Sequence, residues 1–477
     1  MTVELIGIIA LLVGLISIFC APAFIVSAFL CTTLLGSAAA FTLPALSGTN
    51  ISPAHLLLGF LAFKLLSAAD VRDKIGEGLS FGRPAFWLLA ALIYSIISAY
   101  FMPRIFAGQT FIFPARTTGY SSPLVPATAN LTQSIYLIGD FVCFALLYAY
   151  AATRESRRVL GNAALVCAML NLLFAAVDLV TYFTNTAELL SFVRNANYGL
   201  LNDTELAGFK RIVGSFTEAS AFGSITLGFL GFTGRLWLLG IRPGLTFPLT
   251  ILSLCALVFS TSTTAWVGLA GFLVVVYLEA AARAIRGPVN SQTLLFVAVI
   301  PIVSPILMLA IALNDDSASY VQNLLDTLVF NRMSTDSGIE RSSWNSQGLQ
   351  NFLDTYGFGV GNGSMRASSY PISVLASVGI VGAVTIGLFL LTVFFNTAKS
   401  DDSDPLDEAF RQAAKYTCIA WLITATISGA LIDLGLPFFV FAALACAKSN
   451  PSPVFSPYED LPQLPRLSAK MMDQNRY

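Results

Sequence analysis

Arg211 and Glu218 stand in the stretch FKRIVGSFTEASAFG, residues 209–223. If that stretch is helical, the spacing puts both on one face, about 10 Å apart along the axis. An arginine there can hold a phosphate through two parallel hydrogen bonds. A carboxylate in a partly dry site can act as a base. The same two residues would also serve as an interfacial Arg–Glu pair that anchors a helix end. A second group lies in ERSSWNSQGLQNFLDTYGFGVGNGS, residues 340–364. Arg341 and Trp344 open it, and Leu349, Phe352 and Leu353 give the apolar face of a short amphipathic helix lying on a membrane surface. Trp344 suits sugar stacking and a membrane interface equally well. The alternating glycines that follow, with Gly359 and Gly361 at the centre and Ser364 and Arg366 just after, would let backbone come close to a ligand. Their N–H groups could cradle a phosphate. A nucleotide loop is a poor fit, because no lysine follows the glycines and no strand precedes them.

Other polar groups carry less. The DDSD run at 401–404 sits in a short loop and is expected to be a solvated acidic turn. His55 is the sole histidine and cannot build a His-rich metal site. STSTTAW, residues 260–266, is a polar turn between apolar segments. The seven cysteines all fall in apolar segments without metal spacing, so they are expected to act as small hydrophobes.

The elements that must position these residues are apolar. Of 477 residues, 56% are hydrophobic and 11% charged. Soluble domains carry about 25% charged residues. Apolar segments near 5–20, 23–41, 53–69, 85–101, 134–152, 162–182, 219–233, 245–260, 264–281, 293–313, 371–396, 415–430 and 432–447 predict an all-α integral membrane protein. By length they would make about 12–13 transmembrane helices. Pro22 either divides a hairpin or kinks one long element. Basic loops after 150 and 278 are assigned to the cytoplasm. Residues 71–83, 234–244 and 397–414 then fall on that side, as does the proline-rich, disordered tail 448–477. Residues 1–447 form one polytopic domain whose long outer loops are 102–133, 183–218 and 314–370. Those loops carry Arg104, Arg116, Arg194, Lys210, Arg211, Arg332, Arg341 and Arg366, an array suited to an anionic substrate.

Four stretches, in order, resemble the bacterial O-antigen polymerase and O-antigen ligase superfamily. RIVGSFTEASAFG is similar to the family's Arg-x-x-Gly-x-Phe-x-Glu-Pro-Ser/Asn pattern, and VFSTSTTAWVGLAGFL to its Ser-x-Ser-Arg segment. RSSWNSQGLQNF with YGFGVGNGS resembles its outer amphipathic helix and glycine run. SSYPISVLASVGIVGAVTIGLFLL resembles the span that follows, with its Leu-Gly-x-x-Gly signature. The matches cover residues 205–395. Ala219 replaces the family's proline, and the arginine of the Ser-x-Ser-Arg segment is absent from STSTTA. Ser369, Tyr370 and Pro371 stand where ligases carry a histidine, which favours a polymerase.

The resemblance implies a multi-pass enzyme of the bacterial inner membrane. It would join polyprenyl-pyrophosphate-linked oligosaccharide repeat units on the periplasmic side, as a metal-independent glycosyltransferase without cofactor. Arg211 and Arg341 would bind the pyrophosphate, with Arg366 assisting. Glu218 would be either the base for the acceptor hydroxyl or the partner that orients Arg211. Trp344, Gly359, Gly361 and Ser364 would line the substrate site. Implied partners are the lipid-linked glycan, membrane lipids, a flippase and a chain-length regulator, and no nucleic acid. Two other classes stay open: ligase-type transfer of a finished glycan, and a flippase or polysaccharide transporter. The last would place ionisable groups within its spans, where Asp178 and Asp433 are the main examples.

Overall fold

The computed structural model describes residues 2–43, 48–115, 120–196, 205–206, 209–314, 322, 336–395 and 404–447. Arg116, Arg332, Asp401 and the tail expected at 448–477 lie outside the described residues. The chain forms α1 (Leu5–Phe19), α2 (Pro22–Thr32), α3 (Pro53–Leu66), α4 (Ala69–Gly78) and α5 (Pro84–Ile105). It continues with α6 (Thr128–Tyr150), α7 (Arg154–Phe183), α8 (Ala219–Leu238), α9 (Pro243–Phe259) and α10 (Thr263–Arg286). The last helices are α11 (Ser291–Ala312), α12 (Asp336–Asp354), α13 (Tyr370–Phe395), α14 (Pro405–Ser428) and α15 (Leu436–Cys446).

Each apolar segment expected from the sequence contains a helix, and the chain is an all-α, multi-pass membrane protein. By length and composition, 5 helices among the described residues can cross a membrane (α5, α6, α7, α10 and α13), or up to 6 if α3 and α4, bent by 105°, count as one broken span. The expected 12–13 exceeds this because α1, α2, α9 and α15 are only 15, 11, 17 and 11 residues long, the apolar part of α11 is likewise short, and α8 is not among the helices apolar enough by this measure. In addition, α14 begins with the charged stretch Asp407, Glu408, Arg411. Proline opens α2, α3, α5, α9, α14 and α15, where its missing N–H costs nothing. Cys20 and Ala21 are extended before Pro22, so α1 and α2 are separate helices rather than one kinked element.

Phe29, Phe144, Phe222, Phe232, Phe410 and Phe441 fill the core between α2, α6, α8, α14 and α15. Short α15 is buried along its whole length, whereas α1, α10 and α11 expose isoleucine, leucine and valine outward. That inversion is what lipid permits, because an apolar side chain facing acyl chains costs nothing. At one end of the bundle, buried Arg157 pairs with Asp407 at 3.1 Å, and Arg235 pairs with Glu279 at 3.2 Å. The opposite end carries short antiparallel strands: β1 (Thr2–Val3), β2 (Phe41–Leu43) and β3 (Thr49–Ile51), with Val3 opposite Phe41 and Phe41 opposite Ile51. β4 (Phe111–Ile112) pairs with β5 (Ser122–Pro123), and β6 (Glu205–Leu206) with β7 (Phe209–Lys210).

The glycine run is part of this framework. Helix α13 is broken at Gly379, at φ 60° and ψ −160°. The break leaves carbonyls of the first half without their usual partners. Val360 N donates to Ala376 O at 2.8 Å and Gly361 N to Ser377 O at 2.9 Å, while Ile380 N turns to Gly357 O at 2.9 Å. Gly359 and Gly361 are buried at positive φ, and a Cβ on either would lie 2.7 Å from backbone atoms of α13 or α5. Ser364 is buried too; it donates to Val360 O at 2.9 Å and accepts from Asn130 Nδ2 at 2.9 Å. Gly359, Gly361 and Ser364, expected to line the substrate site, are buried here, where backbone comes close to backbone.

Candidate functional site

Arg211 and Glu218 do not share a helical face as the spacing suggested. Helix α8 starts at Ala219, Glu218 is its extended N-cap at φ −158°, and residues 211–218 form an irregular loop. Asp178, near the end of α7, sets that loop. Its Oδ2 accepts Val213 N at 2.8 Å and Gly214 N at 3.0 Å, and Gly214 turns the chain at φ 60°. Asp178 Oδ1 pairs with Arg194 at 2.6 Å and lies 3.9 Å from Lys210 Nζ. Arg194 Nε donates in turn to Gly214 O at 3.0 Å. So Asp178, Arg194 and Lys210 hold the segment that presents Arg211. Ser37 fastens the next turn by donating to Ser215 O at 2.9 Å.

Helix α12 presents Arg341. Its inward face is Trp344, Gly348 and Asn351, and Leu349 and Leu353 point outward, as a helix lying on an apolar surface requires. Trp344 is only 7% exposed, and the Arg366 guanidinium lies over its ring at 3.9 Å. This corrects the expectation of a free stacking platform for sugar: Trp344 supports Arg366. Arg366 is fixed by its backbone, which donates to Phe113 O at 2.9 Å, and by its neighbours: Ala367 N donates to Ala430 O at 3.1 Å and Ser368 N to Asn345 Oδ1 at 2.7 Å.

Arg341 and Glu218 act on both Arg211 and Arg366. Burial lowers Arg211 from the ordinary arginine value, the Glu218 carboxylate opposes this, and Arg341 adds to it. Burial likewise lowers Arg366, with Glu340 and Glu218 opposing and Arg341 adding. Arginine nonetheless stays charged. Among the described residues no ion pair or hydrogen bond engages the guanidinium of Arg211, Arg341 or Arg366, and the buried Nε atoms of Arg211 and Arg366 have no partner. Like charges with unmet donors have the chemistry to take up an anion. Arg104, expected in the same array, instead lies over the Tyr100 ring at 3.9 Å.

Glu218 also borders a cavity of about 240 Å³ between α8, α13, α14 and α15. Ser220, Ser224, Ser428, Tyr370 and Asp433 share its wall, and the Ser220 hydroxyl donates to Glu218. Sequence reasoning noted Asp433 only as an ionisable group in an apolar segment, and it did not single out Asp140. The Asp140 carboxyl, on α6 and 2% exposed, faces that of Asp433. The available signal was a lone aspartate inside each apolar segment. The chain matches no protein-family model, and no curated protein matches it.

Proposed function

We propose that this chain is a polysaccharide polymerase of a bacterial inner membrane that joins polyprenyl-pyrophosphate-linked repeat units, resembling the O-antigen polymerase and ligase superfamily. The observation that carries this reading is the convergence of Arg211, Arg341 and Arg366 beside a polar cavity in an apolar bundle. A pyrophosphate leaving group gathers negative charge as its bond to the sugar breaks. Fixed guanidinium groups in a partly dry site stabilise that charge without reorganising. Glu218 stands between the cations and the cavity. Tyr370 lines the same cavity, in the region where the ligase pattern carries histidine, and so favours polymerase over ligase. A flippase and a chain-length regulator would be its working partners.

The test is the set of lipid-linked glycans in cells lacking the protein. Single repeat units accumulating on the outer face are the expected result. Long unligated chains on the lipid would make the protein a ligase, and units trapped inside would make it a flippase.

A further inference from the structure

The cavity holds two carboxylates in different surroundings. Glu218 lies within the fields of Arg211 and Arg366. Those two guanidinium groups face it, which suits Glu218 to orienting them. Asp433 sits in the irregular turn between α14 and α15, its Oδ1 accepting Gly435 N at 2.6 Å. Its titratable neighbours are Asp140 from α6, Tyr370 from α13 and His55 from α3, with Glu218 across the cavity. Among the described residues no arginine or lysine pairs with it. Asp140 is buried behind it, and Asp140 Oδ2 has no partner among the described residues. Ser224, Ser428 and Thr424 add hydroxyls to the wall, and Trp421 and Phe438 add apolar faces. Such a mixture suits a sugar, whose ring has polar edges and C–H faces.

We infer that this cavity receives the terminal sugar of the acceptor and that Asp433 takes the proton from its attacking hydroxyl. The inference rests on the glycosyl-transfer reading above and assigns the base that reading leaves open. The acceptor oxygen bonds to the donor's anomeric carbon, and the bond from that carbon to the pyrophosphate oxygen breaks. The electron pair leaves on the lipid pyrophosphate, against the arginines, and the hydroxyl proton passes to Asp433. Glu218 then serves to orient Arg211 and Arg366. Asp140 is a positioning residue: a hydrogen bond between two carboxyls uses one proton and fixes the direction of Asp433.

The experiment uses the full chain in lipid nanodiscs with the single lipid-linked repeat units that accumulate in cells lacking it. Binding of these units and chain growth are measured separately. Asp433→Asn is expected to bind them normally while growth slows at least about 100-fold. Wild-type growth should fall toward acid, because the base must be unprotonated, and that limb should be absent from the residual activity of Asp433→Asn. Asp140→Asn should move the limb, and Asp433→Glu should recover part of the rate. Ser428→Trp fills the cavity from another wall, should Asp433→Asn fail to fold; it is expected to keep binding and lose growth. Wild-type growth in Asp433→Asn or Ser428→Trp, with Arg211→Ala inactive, overturns the inference and leaves the polymerase reading standing. A wild-type protein that neither binds nor extends these units overturns both.

Discussion

At the scale of single residues, the guanidinium groups carry the argument. Arg211 is held by a loop that Asp178 organises, and its buried Nε is unmet among the described residues. Arg211→Lys keeps the charge but loses the planar fork. It should therefore lose polymer nearly as fully as Arg211→Ala, on the order of 100-fold or more, measured as chain growth per protein inserted. Arg341→Ala should behave the same way while membrane insertion stays normal; normal polymer length in both Arg211→Ala and Arg341→Ala would remove the proposed site. Asp178→Asn is a different kind of change. Asp178 is 2% exposed and Arg194 5%, so losing the carboxylate leaves a buried cation without its counter-charge. Breaking such a pair costs about 3–5 kcal/mol, to be read as a lower midpoint of thermal unfolding in detergent. Arg211, Arg341 and Arg366 were legible because their type and their loops pointed to an anion, and Glu218 because a carboxylate near them could act as a base or orient Arg211. The Asp178 clamp and the Asp140–Asp433 apposition were not, because each joins residues far apart in the chain. Spacing along one segment reports which residues share a face, not which faces meet.

At the scale of elements, the helices were plain in the sequence and their junctions were not. Apolar length is a local property, so α5, α6, α7, α10 and α13 follow from composition alone. The break in α13 is a joint property of two segments, since Gly379 opens the helix and the glycine run closes the gap. Read by itself, an alternating glycine run looks like a ligand loop. Its neighbours make it a plug, and the two meanings predict different mutants. A Cβ on Gly363, at φ 80°, would lie 2.5 Å from Ala129 O in α6, and one on Gly361 would lie 2.7 Å from Ser98 O in α5. Neither backbone can withdraw without unseating its helix, and the left-handed conformation adds about 1–2 kcal/mol for any L-residue with a side chain. Gly361→Ala and Gly363→Ala should therefore lower the unfolding midpoint and the folded yield. A normal unfolding midpoint with weakened binding of the lipid-linked unit would instead return the run to the substrate site.

For the whole molecule, the question is which surface faces which compartment. The expected orientation rests on basic loops, and the structure gathers the loops by its own contacts. Thr2 and Val3 pair with Thr42 and Phe41, Ser37 bonds to Val193 and Ser215, and Pro114 bridges to Met365. The chain start, the segment carrying Arg211 and the segment carrying Arg366 are thus at one end of the bundle. Arg157, Arg158, Asp407 and Glu279 are at the other. Hydropathy alone leaves the side of the chain start open, because 12 and 13 spans put it on opposite faces. The pairing of Thr2 and Val3 with Thr42 and Phe41 places those two residues with the arginine-bearing loops without any count. A cysteine at Val3 and one at Gln350, on the exposed side of α12, should react with the same membrane-impermeant maleimide from the same side of sealed vesicles. A cysteine at Arg154, the first residue of α7, should react only once the vesicles are opened, given outward-facing sites at the other two. The test is made in a background with the native cysteines replaced, because Cys255 is exposed. Labelling of Val3→Cys together with Arg154→Cys would mean that the short strands do not hold the chain start beside the arginines.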